Sequence, residues 1–206
     1  MTGTMGLDRT VLDWFVEHRE QSLNTIMQVV TTLGGSAFLI PLVLAVGVWY
    51  WRRHGTARPL MLLAAAYGSS WFVSQSIKVL VGRARPPAGV ALGHFSGYAF
   101  PSGHATEAAA VWGMLAVVLV AGAPRSQRNK VVGAAVTVVV MVGITRLYLA
   151  AHWLTDILAG WCFGSLCVLG VLAASQAITG HRGPPGGRGR IGQCDPSPST
   201  RTGSPN

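Results

Sequence analysis

The chain is short of charged side chains, and above all of acidic ones. Asp, Glu, Lys and Arg make up 11% of its 206 residues, with 7 acidic and 16 basic, whereas an ordinary soluble domain carries roughly 25%. This scarcity argues against a water-soluble globule, and a hydrophobic content of 50% excludes a disordered chain. The three cysteines form neither a disulfide scaffold nor a zinc-type ligand cluster.

Long apolar runs with few charges alternate with short basic loops. A helix that crosses a bilayer needs about 20 mostly apolar residues, and at least about 17. The candidate spans are 33–51, 59–81, 104–122, 130–149 and 153–176. We therefore predict an all-α, polytopic transmembrane helix bundle of five spans, or six if residues 21–32 add a short or re-entrant piece. The alternative, a soluble all-helical protein, would leave too little polar surface to cover these segments.

Three regions are distinguished by their composition. In residues 1–20, Leu7, Val11, Trp14 and Phe15 recur at helical spacing among charges. This pattern predicts an amphipathic helix that lies at the membrane interface or packs on the rim of the bundle, and it is unlike a secretory signal. Residues 21–178 form the predicted transmembrane domain. Residues 179–206 are rich in Gly, Pro, Ser and Arg, which predicts a disordered basic tail.

The basic residues indicate how the bundle is oriented. Alternating topology puts ten of them on one side of the membrane, which the positive-inside rule makes cytoplasmic. They are Arg52, Arg53, Arg58, Arg125, Arg128, Lys130, Arg182, Arg188, Arg190 and Arg201. The net charge of +9 is thus a topology signal, and it calls for no nucleic-acid partner.

Seven ionisable residues cluster at the opposite, external ends of the predicted spans. A single cation at a helix end is commonly a snorkelling anchor, and Arg83 is interpreted as one. Convergence of three distant stretches at one membrane depth favours a functional site instead, because ionisable groups within spans are costly. The cluster comprises Lys78, Arg83, Arg85, His104, Arg146, His152 and Asp156.

The cations in this cluster predict a ligand with concentrated negative charge. Arg85 and Arg146 offer planar forks that suit phosphate oxygens, and Lys78 offers a compact point charge. Ser102 and Gly103 open a predicted helix, where backbone N–H groups and the helix dipole favour an anion. The expected ligand is a phosphate or an analogue of it.

The two histidines supply reactive groups beside this anion site. Asp156 lies one helical turn after His152, so its carboxylate can orient one ring nitrogen and leave the other as a nucleophile. His104, from another helix, suits a general acid. Phosphoryl transfer to His152, followed by attack of water, needs no metal or other cofactor when the cations balance the charge. Glu107, about one turn after His104, either orients that ring or favours the helix N-terminus, and the second interpretation is preferred.

These residues resemble the signature of the type 2 phosphatidic acid phosphatases. That family includes bacterial undecaprenyl-pyrophosphate phosphatases and shares its site with vanadium haloperoxidases. The resemblance spans about residues 35–176. Three ordered motifs carry it: Lys78 with Arg85-Pro86, then Pro101-Ser102-Gly103-His104, then Arg146 with His152 and Asp156.

The resemblance implies a metal-independent phosphatase in a bacterial-type inner membrane, with an external site and a lipid phosphate or pyrophosphate as substrate. It implies His152 as nucleophile, Asp156 as its partner and His104 as acid. It further implies phosphate binding by Lys78, Arg85, Ser102, Gly103 and Arg146. Thr145 stands where the family usually has Ser, and its hydroxyl is an expected accessory donor.

Three alternatives stay open at this point. A transferase would use the same site with a lipid or sugar hydroxyl in place of water. A vanadate-dependent haloperoxidase would hold vanadate with the same residues. A non-catalytic module would bind lipid phosphate without needing a nucleophile. The sequence leaves the lipid headgroup and the oligomeric state undetermined.

Overall fold

The computed structural model describes residues 2–180, whose regular structure is entirely helical. The α-helices are α1 (Thr2–Glu17), α2 (Gln21–Thr31), α3 (Ser36–His54), α4 (Arg58–Val81), α5 (Gly103–Ala121), α6 (Arg125–Tyr148) and α7 (Leu154–Gly180), with short 3-10 turns at Thr32–Gly34 and Ala88–Val90. This confirms the predicted all-α class. The predicted tail at 179–206 lies outside the described residues, except for the backbone of its first two positions.

Three of the described helices, α5, α6 and α7, are long and apolar enough to cross a bilayer. A fourth span results if residues 21–34 and α3, which meet at a bend of 50°, are counted as one. The predicted count of five is not confirmed, because α4 has the length of a span but not the composition. Its second half carries Ser69, Ser70, Ser74, Gln75, Ser76 and Lys78. The segment predicted as a sixth piece, 21–32, is the first arm of the bent pair.

Helix α5 is the centre of the bundle and packs against α3, α4, α6 and α7. Small residues let its neighbours come close. A Cβ atom placed on Gly160 of α7 would lie 2.9 Å from the Cβ of Ala105, and Gly113 of α5 faces Val168 further along. These pairs show that α5 and α7 run in the same direction, so their N-termini lie at the same end of the bundle.

A long loop at this end connects α4 to α5. Helix α4 ends at Gly82, whose φ of 60° is a left-handed conformation that glycine adopts without strain. Residues 82–102 then lead to the start of α5. The loop after α6 joins it to α7 at the same end, where Ser102 N–H donates to the Asp156 carbonyl. The last turns of α4 and α6 thus meet the first turns of α5 and α7.

Helix α1 packs on the rim of the bundle, against α6 and α7. Its Val11 and Phe15 join a small core that contains Leu147 and Ile157. Leu7 and Trp14, which share the predicted apolar stripe, are exposed. Of the two predicted arrangements, rim packing therefore describes the buried part of the helix.

Candidate active site

A cavity of about 520 Å³ opens where these four helix ends meet. It brings together residues from all three sequence motifs, although Lys78 and His152 are 74 positions apart in the sequence. The predicted site residues that line it are Lys78, Arg85, Gly103, His104, Arg146 and His152. The cavity therefore assembles the predicted cations and both imidazole rings in one place.

His152 lies in the loop between α6 and α7, and only 2% of its surface is exposed. Its Nε2 atom is 3.1 Å from Nη1 of Arg85, and its Nδ1 atom is 3.4 Å from Oδ2 of Asp156. A guanidinium has donors only, so Nε2 accepts the hydrogen bond and the ring proton is on Nδ1. Burial, followed by the charges of Arg146 and Arg85, holds the pKa of His152 well below its usual range. The ring is thus neutral, and its lone pair, on Nε2, is engaged by Arg85 at the cavity wall.

Asp156 lies behind the ring, fully buried in the first turn of α7. Its Oδ2 atom accepts the Trp153 backbone N–H at 2.9 Å, which fixes the carboxylate over the start of the helix. At 3.4 Å the carboxylate lies beside Nδ1 without forming a hydrogen bond to it, and Nδ1 has no hydrogen-bond partner. Asp156 does not line the cavity, so it acts on the ligand only through His152.

Arg83 is the second partner of this carboxylate. Its Nη1 atom is 2.5 Å from Oδ1 of Asp156, and its Nη2 atom is 2.6 Å from Oδ2 of Asp8 in α1. The interpretation of Arg83 as a snorkelling anchor is therefore wrong. Its guanidinium points into the bundle because it forms ion pairs with two buried carboxylates there.

The three cavity cations are held mainly by backbone carbonyls and have no carboxylate within 4 Å among the described residues. Arg85 donates to the carbonyls of Gly97, Ala151 and Ser96, and Lys78 donates to that of Tyr98. Arg146 donates to the Thr31 hydroxyl at 3.0 Å and lies 4.9 Å from the Phe95 ring centre. Their positive charge is therefore left for an anionic ligand.

His104 stands in the first turn of α5 and is half-buried in the wall of the cavity. Glu107, one turn later, also lines the cavity and accepts a hydrogen bond from the Ser36 hydroxyl at 2.9 Å. The preferred interpretation of Glu107 as a helix-terminus residue missed this contact. Its spacing of three from His104 indicates a shared helix face, whereas no local signal indicates Ser36, 71 residues away.

Two buried hydroxyls near the N-terminus of α5 have no hydrogen-bond partner. One belongs to Ser102, the N-cap residue, and the other to Ser74, one turn before Lys78 on α4. A Cβ on Gly103 would lie 3.5 Å from the Ser74 oxygen, so this hydroxyl adjoins the cavity wall. Ser102, which was predicted to bind the phosphate, is fully buried and does not line the cavity. Ser74 is an additional hydroxyl that the sequence motifs do not include.

Thr145 is placed differently from the prediction. It is fully buried, its hydroxyl donates to the Val142 carbonyl at 2.6 Å, and it does not line the cavity. The side chain closes a turn of α6 behind Arg146. It therefore contributes to packing, and an accessory contact with the ligand is not supported.

Comparison with known proteins gives consistent matches. Residues 59–179 match the PAP2 superfamily. Phosphatidylglycerophosphatase B of Bacillus subtilis (strain 168) is 35% identical over 166 residues, which cover 80% of this chain and 81% of that protein. The crystal structure of a transmembrane PAP2 type phosphatidylglycerolphosphate phosphatase from Bacillus subtilis superposes with a TM-score of 0.81 at 30% identity, covering 86% and 89% of the two chains.

Aquifex aeolicus LpxE has the same fold, with a TM-score of 0.64 at 19% identity over 84% of this chain and 96% of that one. The PAP2 match covers more than half of the chain and contains all three motifs. These findings confirm the resemblance that the motifs suggested. The chain thus belongs to the PAP2 superfamily and is an integral membrane hydrolase of that family.

Proposed function

We propose that this protein hydrolyses lipid phosphate or pyrophosphate esters at the external face of the membrane, through a phosphohistidine on His152. One observation carries the proposal. The Nε2 atom of His152 lies 3.1 Å from the Arg85 guanidinium in a cavity lined by three cations, while a buried carboxylate lies behind Nδ1. This arrangement pairs a nucleophile with an orienting group and an anion site.

In the first step, Arg85 Nη1 transfers its hydrogen bond from Nε2 of His152 to a phosphoryl oxygen. The freed Nε2 lone pair attacks phosphorus and the bond to the lipid oxygen breaks. His104 donates a proton to that departing oxygen. The His152 ring becomes cationic as the N–P bond forms, and the Asp156 carboxylate near Nδ1–H stabilises that charge.

In the second step, water attacks phosphorus and the N–P bond breaks. His104, now unprotonated, takes the proton from water, so that inorganic phosphate leaves and both rings return to their starting states. Lys78, Arg85 and Arg146 stabilise the charge on the phosphoryl oxygens in both steps. They supply the positive charge that Mg²⁺ provides in other phosphoryl-transfer enzymes, so the proposed reaction needs no metal.

The cavity wall supports a substrate that stays in the bilayer. Trp71 and Val79 of α4 line the cavity and also belong to the outer surface of the bundle. A lipid can keep its chains against this apolar surface while its headgroup enters the cationic cavity. Because the relative with 35% identity is a phosphatidylglycerophosphatase B, phosphatidylglycerophosphate is the first substrate to test.

The orientation of the site follows from charge. Arg52, Arg53, Arg58, Arg125 and Arg128 occupy the helix ends and loops at the end of the bundle remote from the cavity. The positive-inside rule makes that end cytoplasmic. The cavity then faces outward, and the C-terminal tail is cytoplasmic.

Phosphate release in detergent tests the reaction. Purified protein is given phosphatidylglycerophosphate, phosphatidate or a polyprenyl pyrophosphate, and His152→Ala is compared with His54→Ala, a control at the opposite helix end. We expect His54→Ala to match the unaltered protein and His152→Ala to lose at least about 10³-fold in rate. Near-normal turnover by His152→Ala would overturn the assigned role.

Cysteine labelling in intact cells tests the orientation. Cys162, Cys167 and Cys194 are first replaced by Ser. Single cysteines are then introduced at Ser96 on the cavity rim and at Gln127 in the first turn of α6, at the opposite end of the bundle. A membrane-impermeant maleimide should label only the first. Labelling of only the second would reverse the proposed orientation.

A further inference from the structure

Helix α1 buries a carboxylate beside the active site. Asp8 is 1% exposed, although it belongs to a helix on the rim of the bundle. Its Oδ1 atom accepts the Thr155 backbone N–H at 2.9 Å, and its Oδ2 atom accepts the Thr155 hydroxyl at 2.7 Å. Burying a charge is costly unless it is paired, so this placement requires partners.

Arg83 is the charged partner, and it joins Asp8 to the catalytic carboxylate. One guanidinium donates to Asp8 through Nη2 and to Asp156 through Nη1, with a further bond from Nη1 to the Thr155 hydroxyl at 2.7 Å. The Trp153 ring covers this guanidinium at 5.8 Å. The order Asp8, Arg83, Asp156, His152 is thus a continuous chain of contacts from α1 to the nucleophile.

The charges in this row of contacts determine the net charge behind the His152 ring. Arg83 alone would neutralise Asp156 and weaken its attraction for a cationic His152 ring. Asp8 balances Arg83, so two carboxylates and one guanidinium leave one net negative charge behind the nucleophile. Hydrogen bonds from Thr155 and Arg83 outweigh the effect of burial and lower the pKa of Asp8, which keeps it ionised.

Asp8 also fixes the start of α7. Its bond to the Thr155 N–H satisfies a donor in the first turn, next to Asp156. A carboxylate at a helix N-terminus interacts favourably with the helix dipole. The same side chain therefore affects both the position and the charge environment of Asp156.

We infer that Asp8 and Arg83 are positioning residues for the reaction, through which α1 holds Asp156 against His152 and maintains a negative charge behind the nucleophile. This inference rests on the proposed function. It makes α1 a part of the catalytic apparatus, where the sequence had indicated only an amphipathic peripheral helix.

The test compares Asp8→Asn with Asp13→Asn, an exposed aspartate on the same helix. We expect Asp8→Asn to lower kcat at least about tenfold. KM should change less than about twofold, because the cavity cations that bind the substrate are unaltered. Asp13→Asn should keep both constants. Unchanged kcat in Asp8→Asn, with the protein folded, would overturn the inference.

A double-mutant cycle separates positioning from loss of packing. In an Asp156→Asn background, adding Asp8→Asn should lower kcat less than about twofold, since the carboxylate it acts through is gone. An equal tenfold loss in both backgrounds would show that Asp8 acts only on the fold.

A second variant covers the case in which Asp8→Asn does not fold. Arg83→Lys retains the positive charge but loses the fork that bridges two carboxylates, so the same drop in kcat at constant KM is expected. Loss of activity in His152→Ala tests the proposed function, whereas the ratio of Asp8→Asn to Asp13→Asn tests this inference. The two failures therefore give different results.

Discussion

Arg85 donates a hydrogen bond from Nη1 to the Nε2 atom of His152 across 3.1 Å. The same guanidinium is held by backbone carbonyls on its other nitrogens, including that of Gly97 at 3.0 Å. Its cation thus lies beside the nucleophilic lone pair before substrate enters. It disfavours protonation of the ring and is ready to interact with the phosphoryl oxygens.

The pH dependence follows from this contact. Because burial and the neighbouring cations lower the pKa of His152, the neutral nucleophile persists below pH 6.5. We predict that the acidic limb of kcat/KM lies well below pH 6.5, and that Arg85→Gln moves it to higher pH by removing one cation. The substrate phosphate titrates equally with both proteins, so the difference reports on the enzyme. An acidic limb that Arg85→Gln does not move would contradict the proposed contact.

Arg85→Lys tests whether the fork itself is needed. Lysine keeps the charge but cannot hold the loop carbonyls and contact a phosphoryl oxygen together. We expect kcat/KM to fall about 100-fold, equivalent to about 2.7 kcal/mol of transition-state stabilisation. Arg52→Lys, at the remote end of the bundle, is the matched control and should behave normally. Full activity of Arg85→Lys would mean that only charge is required.

Substitution of Thr145 separates packing from catalysis. Since its hydroxyl bonds to the Val142 carbonyl, Thr145→Ser should retain kcat/KM within about twofold and lose about 1 kcal/mol of stability from the deleted methyl group. Thr145→Val should likewise remain active. Steady-state kinetics and thermal unfolding in detergent measure the two effects. A 100-fold loss of activity in Thr145→Val would restore the hydroxyl to the site.

The three motifs correctly indicated which cations and imidazole rings meet in the cavity. Within each motif the residues are a few positions apart at a helix end, so their relative positions can vary little. His152 and Asp156 are four residues apart, and a turn of helix brings them together. The role of Arg83 is not evident in the sequence because its partners Asp8 and Thr155 are 75 and 72 residues away. No local pattern reveals a contact of that kind.

In the fold, too, local sequence patterns are predictive and long-range contacts are not. Long apolar runs identify α5, α6 and α7 directly. Helix α4 is harder to classify because its buried Ser70 and Ser74 face the bundle interior, where polar side chains are tolerated. Glu107 contacts Ser36 of α3. This contact depends on tertiary packing, so the sequence does not predict it.

Inhibition by vanadate tests whether the cavity is complementary to the transition state of phosphoryl transfer. Its trigonal-bipyramidal form imitates the transition state, so it should compete with substrate.

Chelation by EDTA tests whether the cavity cations suffice without a metal ion. The rate of phosphate release should be unaffected by EDTA, because Lys78, Arg85 and Arg146 provide the balancing charge. Complete loss of activity in EDTA, restored by a divalent cation, would show that the mechanism lacks a component.

The most direct test of the account is to locate the covalent phosphate. A lipid substrate with labelled phosphate is mixed with the enzyme, the reaction is quenched at high pH within milliseconds, and the labelled peptide is sequenced by mass spectrometry. The account predicts an acid-labile phosphate on His152 alone, absent from His152→Ala and present in His54→Ala. Phosphate on another side chain, or turnover by His152→Ala at the normal rate, would contradict it.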